Sequence, residues 1–599
     1  MHSRRKQVLL PLLLSAASLL VHTQSHAQSL DQPQPPAGVR PSAEAIQEWK
    51  DHKFGMFIHF GLYSMLGGVW QGKQITNGYS EQIMSHAPIT REDYAALAKD
   101  FNPTQFDAEA IVKLAQDAGM KFIVVTSKHH DGFNMFHTKL TDYNIVDATP
   151  YGKDVVKELA EACARHGIKF GVYYSSIDWH FPGATFYETD NDRNDNAIPK
   201  AHEDFSVGQL KELTTNYGPL SEIWFDMGKP TPAQSKRFAD TVHANQPNCM
   251  VSGRVFNYQG DFTVMGDNQI PNFVMDEPWQ SPASIYPDTW GYRSWAKRDD
   301  LDGKINEHIL RLVEVVSRGG NYILNIGPKG DGSVVPFEAS LLEGVGKWIK
   351  VNGEAIYGTQ PQPFRKLSFG YATVKQNRLY LLVRDWPQDG RLVLPGFHSK
   401  VTSAYLLADP EHKPLKFESV GTDEIIHGSG SVRTPPVTVV VVAYSGKLDV
   451  IPSTTMPNRD GIILLDSKKA DTFYNYNGYG YEDPATVYKE QWAIAGTHPG
   501  RYKVDIFYRK PAVSGTPAVS GTPAVSGTVD LLVGPQRLAI TLDSKTPTSA
   551  DASVYETSAD FEIAEPSDYQ WVKITPPEPF TKGTKLGAEV LRIELSPVR

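Results

Sequence analysis

Cysteine is scarce in this chain, and basic charge is not in excess. The 599 residues contain two cysteines, Cys163 and Cys249, too few for the disulfide framework of an exported protein of this size. Both read as buried thiols, which argues against a metal site built on them. Lys+Arg total 59 against Asp+Glu 68, a net charge of −9, and the isoelectric point is about 6.1. Nothing in that balance would hold a phosphate backbone, so nucleic acid is excluded as the natural partner. Beyond the first 27 residues no stretch approaches the ~20 apolar residues of a membrane span.

The composition, 40% hydrophobic and 21% charged, is that of a globular chain with room for about three to four domains. Aromatics make up 11%, with 27 Tyr and 11 Trp. Their flat apolar faces and polar edges suit sugar rings, although β-rich domains also use them as core. The N-terminus reads as an export leader: Arg4, Arg5 and Lys6, an apolar run from Val8 to Val21, and Ser25-His26-Ala27 as a small-x-small cleavage site before Gln28. Its loss takes the charge from −9 to −12 and places the mature protein outside the cytoplasm, secreted or periplasmic.

From Phe54 to about Gly358, short β-rich runs alternate with helical patterns. Phe54–Phe60, Lys121–Thr126, Lys169–Tyr174, Ser221–Phe225, Met250–Arg254 and Asn321–Ile326 read as buried strands. Lys153–Arg165 reads as a helix, with Val155, Val156, Leu159, Ala160 and Cys163 on one face. Strand then helix, repeated, predicts a parallel sheet. Ala118-Gly119-Met120-Lys121-Phe122 and His166-Gly167-Ile168-Lys169-Phe170 each pass from helix through Gly to strand. Units of this kind build a (β/α)8-like barrel, whose chemistry sits at the C-terminal ends of its strands.

After Gly358 helical periodicity ends. The expected division is a leader over 1–27, a (β/α) barrel over 28–358, a β-sandwich over 359–455 and a second β-sandwich over 456–599. Three tandem Pro-Ala-Val-Ser-Gly-Thr hexads, Pro511–Thr528, read as a surface loop within the last. The run Tyr474-Asn475-Tyr476-Asn477-Gly478-Tyr479-Gly480-Tyr481 makes that domain a candidate carbohydrate-binding module; strand aromatics would explain it equally well.

The strand-end rule selects His59, the run Lys128-His129-His130-Asp131-Gly132-Phe133, Asp178-Trp179-His180 and Asp226. Asp226 follows Trp224 and Phe225 directly, and Gly228 lets the chain turn. A carboxylate against an apolar wall suits a nucleophile or an acid/base catalyst in glycosyl transfer; a helix cap or salt-bridge acid is the competing reading. His129 and His130, as neighbours on an extended segment, are expected to point to opposite sides, so that one ion would not hold both; as neutral imidazoles they suit sugar hydroxyls, and a loop-bracing role for one of them is the competing reading. No ligand spacing supports a metal.

These strings, with Tyr79-Ser80-Glu81, Trp290-Gly291-Tyr292 and Asn321-Tyr322-Ile323-Leu324-Asn325-Ile326-Gly327-Pro328, resemble the α-L-fucosidases of glycoside hydrolase family 29 from about Glu48 to Gly358. The resemblance implies a (β/α) barrel followed by a β-sandwich, retention of configuration, no cofactor, and the Asp of Trp-Phe-Asp as nucleophile, here Asp226. It assigns contacts to fucose hydroxyls to His59, Glu81, His129, His130 and Trp224, and an active-site arginine to Arg254. It also requires a tyrosine ending the strand from Lys169, where Tyr173 and Tyr174 compete and Tyr174 is taken.

Two positions depart from the family pattern. Gln82 stands where many members have Trp. Gln280, in Trp279-Gln280-Ser281-Pro282-Ala283-Ser284-Ile285, stands where many have the Glu of a Trp-Glu string that supplies the general acid, and an amide cannot protonate a leaving oxygen. Glu277 is then the expected acid, with Asp276 as its rival on the same segment, and Gln280 is left among the substrate contacts. The expected activity is exo-cleavage of terminal α-L-fucose from oligosaccharides or glycoconjugates. A fucose-binding protein with impaired catalysis and an α-L-galactosidase are the alternatives.

Overall fold

The computed structural model describes residues 40–182, 198–275, 277–428, 434–474, 487–510, 525–544, 546–548, 550–551, 553–564, 569–578 and 584–598. The leader, Asp276, most of the hexad repeat and the aromatic run after Tyr474 lie outside the described residues.

Eight parallel strands form the first sheet: β1 Phe54–Ile58, β2 Phe122–Lys128, β3 Lys169–Ser175, β4 Glu222–Asp226, β5 Met250–Val251, β6 Thr263–Val264, β7 Trp279–Ser284 and β8 Asn321–Ile326. Their order is β5-β4-β3-β2-β1-β8-β7-β6. An isolated parallel bridge between Ser252 and Phe262 joins the two end strands, so the sheet curls into a barrel with a seam between β5 and β6. The long strands β1–β4 and β8 are buried along almost their whole length, as a sheet covered on both faces must be. β6 and β7 were not legible in the sequence. The first has two residues, and the second reads Trp-Gln-Ser-Pro-Ala-Ser, with a proline and no β-branched side chain.

The crossovers are helices α1 Ala43–His52, α2 Ala108–Asp117, α3 Val155–His166, α4 Lys200–Asn216, α5 Pro232–Asn245, α6 Leu301–Ser317 and α7 Pro336–Asn352. Asp107, Asp154 and Thr231 cap α2, α3 and α5 by accepting from the third backbone N–H of each. Gly167, at φ 66°, ends α3 in the left-handed region, as a helix C-terminus followed at once by a strand requires. α1 precedes the first strand, and its Trp49 is buried in the barrel's own inner cluster beside Phe57, Tyr173 and Trp224.

Sheets β9 Gly370–Lys375, β10 Arg378–Val383, β15 Thr438–Ser445 and β12 Lys400–Leu406, and β11 Arg391–Leu394, β14 Asp423–His427 and β13 Lys416–Val420, then enclose a separate core. The outer face of the first, through Tyr380, Leu382, Val439 and Val441, joins the barrel's core, and Trp348 of α7 donates its indole N–H to the Val437 carbonyl at 3.1 Å. Of the remaining strands, between Ile463 and Pro597, nine form a four-stranded and a five-stranded antiparallel sheet around a third core that includes Trp492, Val504, Ile506, Val572 and Ile593, and two short ones, Val525–Ser526 and Lys585–Leu586, pair in parallel. Phe273, on the segment between β6 and β7, packs against Phe473 and Tyr474 of that last unit, with centroids 6.4 and 5.7 Å apart.

Candidate active site

Alternation along β4 turns Glu222, Trp224 and Asp226 toward the barrel axis at three successive depths. Asp226 is the uppermost, and the chain leaves it through Met227 and Gly228, both left-handed at φ 60° and 88°. The carboxylate is gripped from three sides. Tyr173 donates its hydroxyl to Oδ2 at 2.8 Å, Arg254 donates from Nη1 to Oδ1 at 3.0 Å, and His130 Nε2 lies 3.8 Å from Oδ2. Burial alone would raise the pKa of Asp226, but the charge of Arg254 and the Tyr173 hydroxyl outweigh it and hold the group below the ordinary carboxylate value. It is an anion ready to attack.

A cavity of about 250 Å³ opens above it, lined by Phe57, His59, Tyr79, Glu81, Gln82, His129, His130, Tyr173, Trp224, Asp226, Met227, Arg254, Asp267 and Trp290. His59, from the end of β1, has its Nδ1 2.6 Å from Asn325 Oδ1. Asn325 spends its amide N–H on the Trp290 carbonyl at 2.7 Å, which fixes its oxygen as the acceptor and leaves His59 Nε2 with a free lone pair. Burial drives the His59 pKa down to about 4, so the ring is neutral at physiological pH. His130 is held the same way: Ser175 gives its proton to the Ile177 carbonyl at 2.9 Å and receives one from His130 Nδ1 at 2.7 Å. Burial likewise brings His130 to about 4. Neutral rings that present Nε2 as an acceptor suit hydroxyl groups.

His129 and His130 face the same cavity, their centroids 4.0 Å apart, and not opposite sides. The chain turns after β2, closing a Gly132 N–H to His129 carbonyl bond of 3.1 Å, so extended-strand geometry does not apply. The bracing is done instead by Asp131, which accepts from Tyr94 at 2.7 Å and from the Phe133 N–H at 3.1 Å. His129 Nδ1 is buried with no hydrogen-bond partner among the described residues.

Glu81 accepts through Oε2 from the backbone N–H groups of Trp290 and Gly291 at 3.1 and 2.8 Å and from Thr289 at 3.3 Å. Oε1 is left for a ligand. Burial raises this carboxyl to about 7 despite those donors. Trp224 forms the floor, stacked near Tyr173 at 5.7 Å and 20°, with the Arg254 guanidinium 4.8 Å above its ring.

Three expected positions are corrected. Tyr174 alternates to the outer side of β3, where its hydroxyl meets Gln209 of α4 at 2.8 Å; Tyr173 is the tyrosine of the cavity. Glu277 precedes β7 and accepts from Thr263 at 2.7 Å, at the N-terminal ends of the strands. Gln280 neighbours Trp224, two residues below Asp226, and Glu277 lies three residues further down, so about 16 Å of strand separates it from the nucleophile's level. Gln280 is not in the cavity either: fully buried, it accepts from the Trp224 indole at 2.8 Å and donates to Glu222 at 3.1 Å. Gln280 belongs to a barrel strand, and Glu277, just before that strand, sits at its N-terminal end, away from the cavity.

Asp267 was missed. It follows β6 by three residues at the mouth, and its Oδ1 accepts from Arg254 Nη2 at 2.6 Å. Its side chain is 29% exposed against 12% for Asp226, so it lies on the solvent side of the pair. The strand-end rule would have found it in Met265-Gly266-Asp267 had Thr263–Val264 been recognised as a strand. Among the described residues no group of three His, Cys, Asp or Glu side chains is placed to hold a metal ion.

A (β/α)8 barrel with three carboxylates, Glu81, Asp226 and Asp267, in a polar cavity at its C-terminal mouth has the architecture of a glycoside hydrolase. The α-L-fucosidase family model matches residues 20–354, and the chain belongs to that family. Relatives include the tissue α-L-fucosidase of Rattus norvegicus, 31% identical over 383 residues covering 60% of this chain and 80% of that one, and the plasma α-L-fucosidase of Homo sapiens, 32% identical over 386 residues covering 59% and 79%. Among solved structures, the α-L-fucosidase of Vibrio sp. strain EJY3 matches at a TM-score of 0.63 with 27% identity, over 93% of this chain and 99% of that one. A Bacteroides thetaiotaomicron family 29 enzyme, trapped as a covalent intermediate with 2-fluoro-fucosyl fluoride, matches at 0.61 with 26% identity, over 69% and 98%.

Proposed function

We propose that this chain is a retaining, exo-acting α-L-fucosidase in which Asp226 is the nucleophile and Asp267 the acid/base. The observation that carries the pairing is Arg254, one guanidinium that donates to both carboxylates. A single planar group spanning the two is compatible with the separation of about 5–5.5 Å that a retaining mechanism needs. Asp226 attacks the anomeric carbon of a terminal fucose as Asp267 delivers its proton to the departing oxygen. Asp267 then draws a proton from water, which releases fucose from the fucosyl-Asp226 ester with its original configuration. Asp226 is the deeper and more tightly bonded anion. The more exposed Asp267 faces the side from which a leaving sugar and water come and go.

His59, His129, His130 and Glu81 take the fucose hydroxyls, and the apolar face of Trp224 supports the ring. The fucose-binding reading required Gln280 to occupy the acid's place in the pocket. With Gln280 inside the barrel wall, that premise is gone. The test is a mechanism-based label. An Asp267→Asn variant incubated with a 2-fluoro-fucosyl fluoride should gain one fluorofucosyl group, found by peptide mass spectrometry on the peptide containing Asp226; a label on any other carboxylate overturns the assignment.

Export is proposed as well, through a leader cleaved near Ala27-Gln28. Its support is the Arg-Arg-Lys and apolar sequence and the likeness to a plasma enzyme. N-terminal sequencing of the native protein tests it.

A further inference from the structure

Beneath the cavity lies a hydrogen-bonded chain that takes no part in the reaction. The Trp224 indole N–H donates to Gln280 Oε1 at 2.8 Å. Gln280 Nε2 donates to Glu222 Oε1 at 3.1 Å, and Trp49 of α1 donates its indole N–H to Glu222 Oε2 at 2.5 Å. Glu222 and Gln280 are fully buried, and Trp224 and Trp49 are nearly so. Only an amide fits the middle of this chain as it stands, because one side requires an acceptor and the other a donor to a carboxylate. Trp224 in turn carries the Arg254 guanidinium over its face.

We propose that Gln280 and Glu222 are positioning residues, an amide–carboxyl pair that fixes the Trp224 indole as the floor for fucose and, through it, the Arg254 fork between Asp226 and Asp267. This goes beyond the assignment of those two carboxylates and rests on it only for the second half; the floor under the sugar does not depend on which carboxylate attacks. A Glu at position 280 would face Glu222, and one of the two carboxyls would have to keep a proton to donate. The groups that meet Glu222 are Trp49 from α1 and Gln280 from β7, while the Cys249 thiol feels its charge. Burial already raises Glu222 to about 7. The glutamine removes the need for a shared proton.

An exchange of the two groups tests this. In Gln280→Glu the pair is doubly acidic. The affinity for fucose as a competitive inhibitor and kcat/KM on an aryl fucoside should fall on the order of 10- to 100-fold, with the loss growing on the alkaline side as the shared proton leaves. In Gln280→Glu/Glu222→Gln every donor again meets an acceptor: Trp224 donates to the carboxylate introduced at position 280, the new amide at position 222 donates to the same carboxylate, and its oxygen accepts from Trp49. Fucose affinity and kcat/KM should return to within about threefold of wild type. Gln280→Met, of similar length but without hydrogen bonds, should weaken fucose binding without the alkaline dependence. If Gln280→Glu binds fucose as wild type at every pH, if the single variants lose only thermal stability, or if the exchange leaves the folded double variant as impaired as the single one, the proposal is overturned. Failure of the fluorofucosyl label to land on Asp226 would instead overturn the catalytic assignment and leave the fucose-affinity readout standing.

Discussion

Asp226 and Asp267 share one guanidinium: Arg254 Nη1 stands 3.0 Å from Asp226 Oδ1, and Nη2 stands 2.6 Å from Asp267 Oδ1. One side chain therefore holds the proposed nucleophile and the proposed acid together while leaving them in different environments. The deeper anion is bonded by Tyr173 as well, and the outer one is open to solvent.

Asp226→Asn should abolish turnover of aryl and natural fucosides alike, by on the order of 10³-fold or more, because no covalent ester can form. Azide added to Asp226→Gly should yield the β-fucosyl azide through a single inversion, identified by NMR of the product.

Asp267→Ala should spare the first step on an aryl fucoside, whose phenol leaves unaided, and depress cleavage of a disaccharide by about 10²- to 10⁴-fold. Azide should restore turnover of the aryl substrate and give the α-fucosyl azide by double inversion. Glu277→Ala, at the far end of the barrel, should show neither the leaving-group dependence nor the azide response.

Tyr173→Phe should remove a hydrogen bond to the ionised form of Asp226 and so raise its pKa. The acidic limb of the kcat/KM profile on an aryl fucoside should move to higher pH. Tyr174→Phe, whose partner is Gln209, should leave that limb where it is.

Glu338 is a buried carboxyl outside the cavity, bonded to the Gly327 N–H at 3.0 Å, and burial raises it to about 8. The folded state holds its proton between about pH 4.5 and 8, where the unfolded chain has lost it. Its contribution is therefore full below the unfolded value and declines as pH rises toward about 8. Glu338→Gln should flatten the fall in Tm between about pH 5 and 8, measured by calorimetry against wild type.

The barrel and most of the fucose side of the cavity were legible because they sit on long, β-branched and aromatic strands, each delivering its residue at a C-terminal end. His59, His129, His130, Trp224 and Asp226 are brought together in this way, whereas Glu81 and Arg254 stand on short 3-10 turns and were named through the family resemblance. The leaving-group side was not legible. β6 has only two residues, β7 carries a proline and polar side chains, and their burial comes from neighbouring strands rather than from their own pattern. Without those strands Asp267 had no strand end to follow, and nothing in the sequence placed Glu277 and Gln280 below the cavity. The choice between Tyr173 and Tyr174 turned on a single step of alternation, which the end of a strand does not mark in sequence.

The seam between β5 and β6 separates the machinery into two inheritances. His59, His129, His130, Trp224 and Asp226 hang from strands laddered continuously to their neighbours, where a substitution in one disturbs several. Arg254 and Asp267 flank the seam, on segments joined across it by the Ser252–Phe262 bridge, the Asp261 N–H to Val251 carbonyl bond and the bonds from Arg254 to Met265 and Asp267. A substitution at that margin should therefore reach the Asp267 side of the cavity before it disturbs the wall formed by β1–β4.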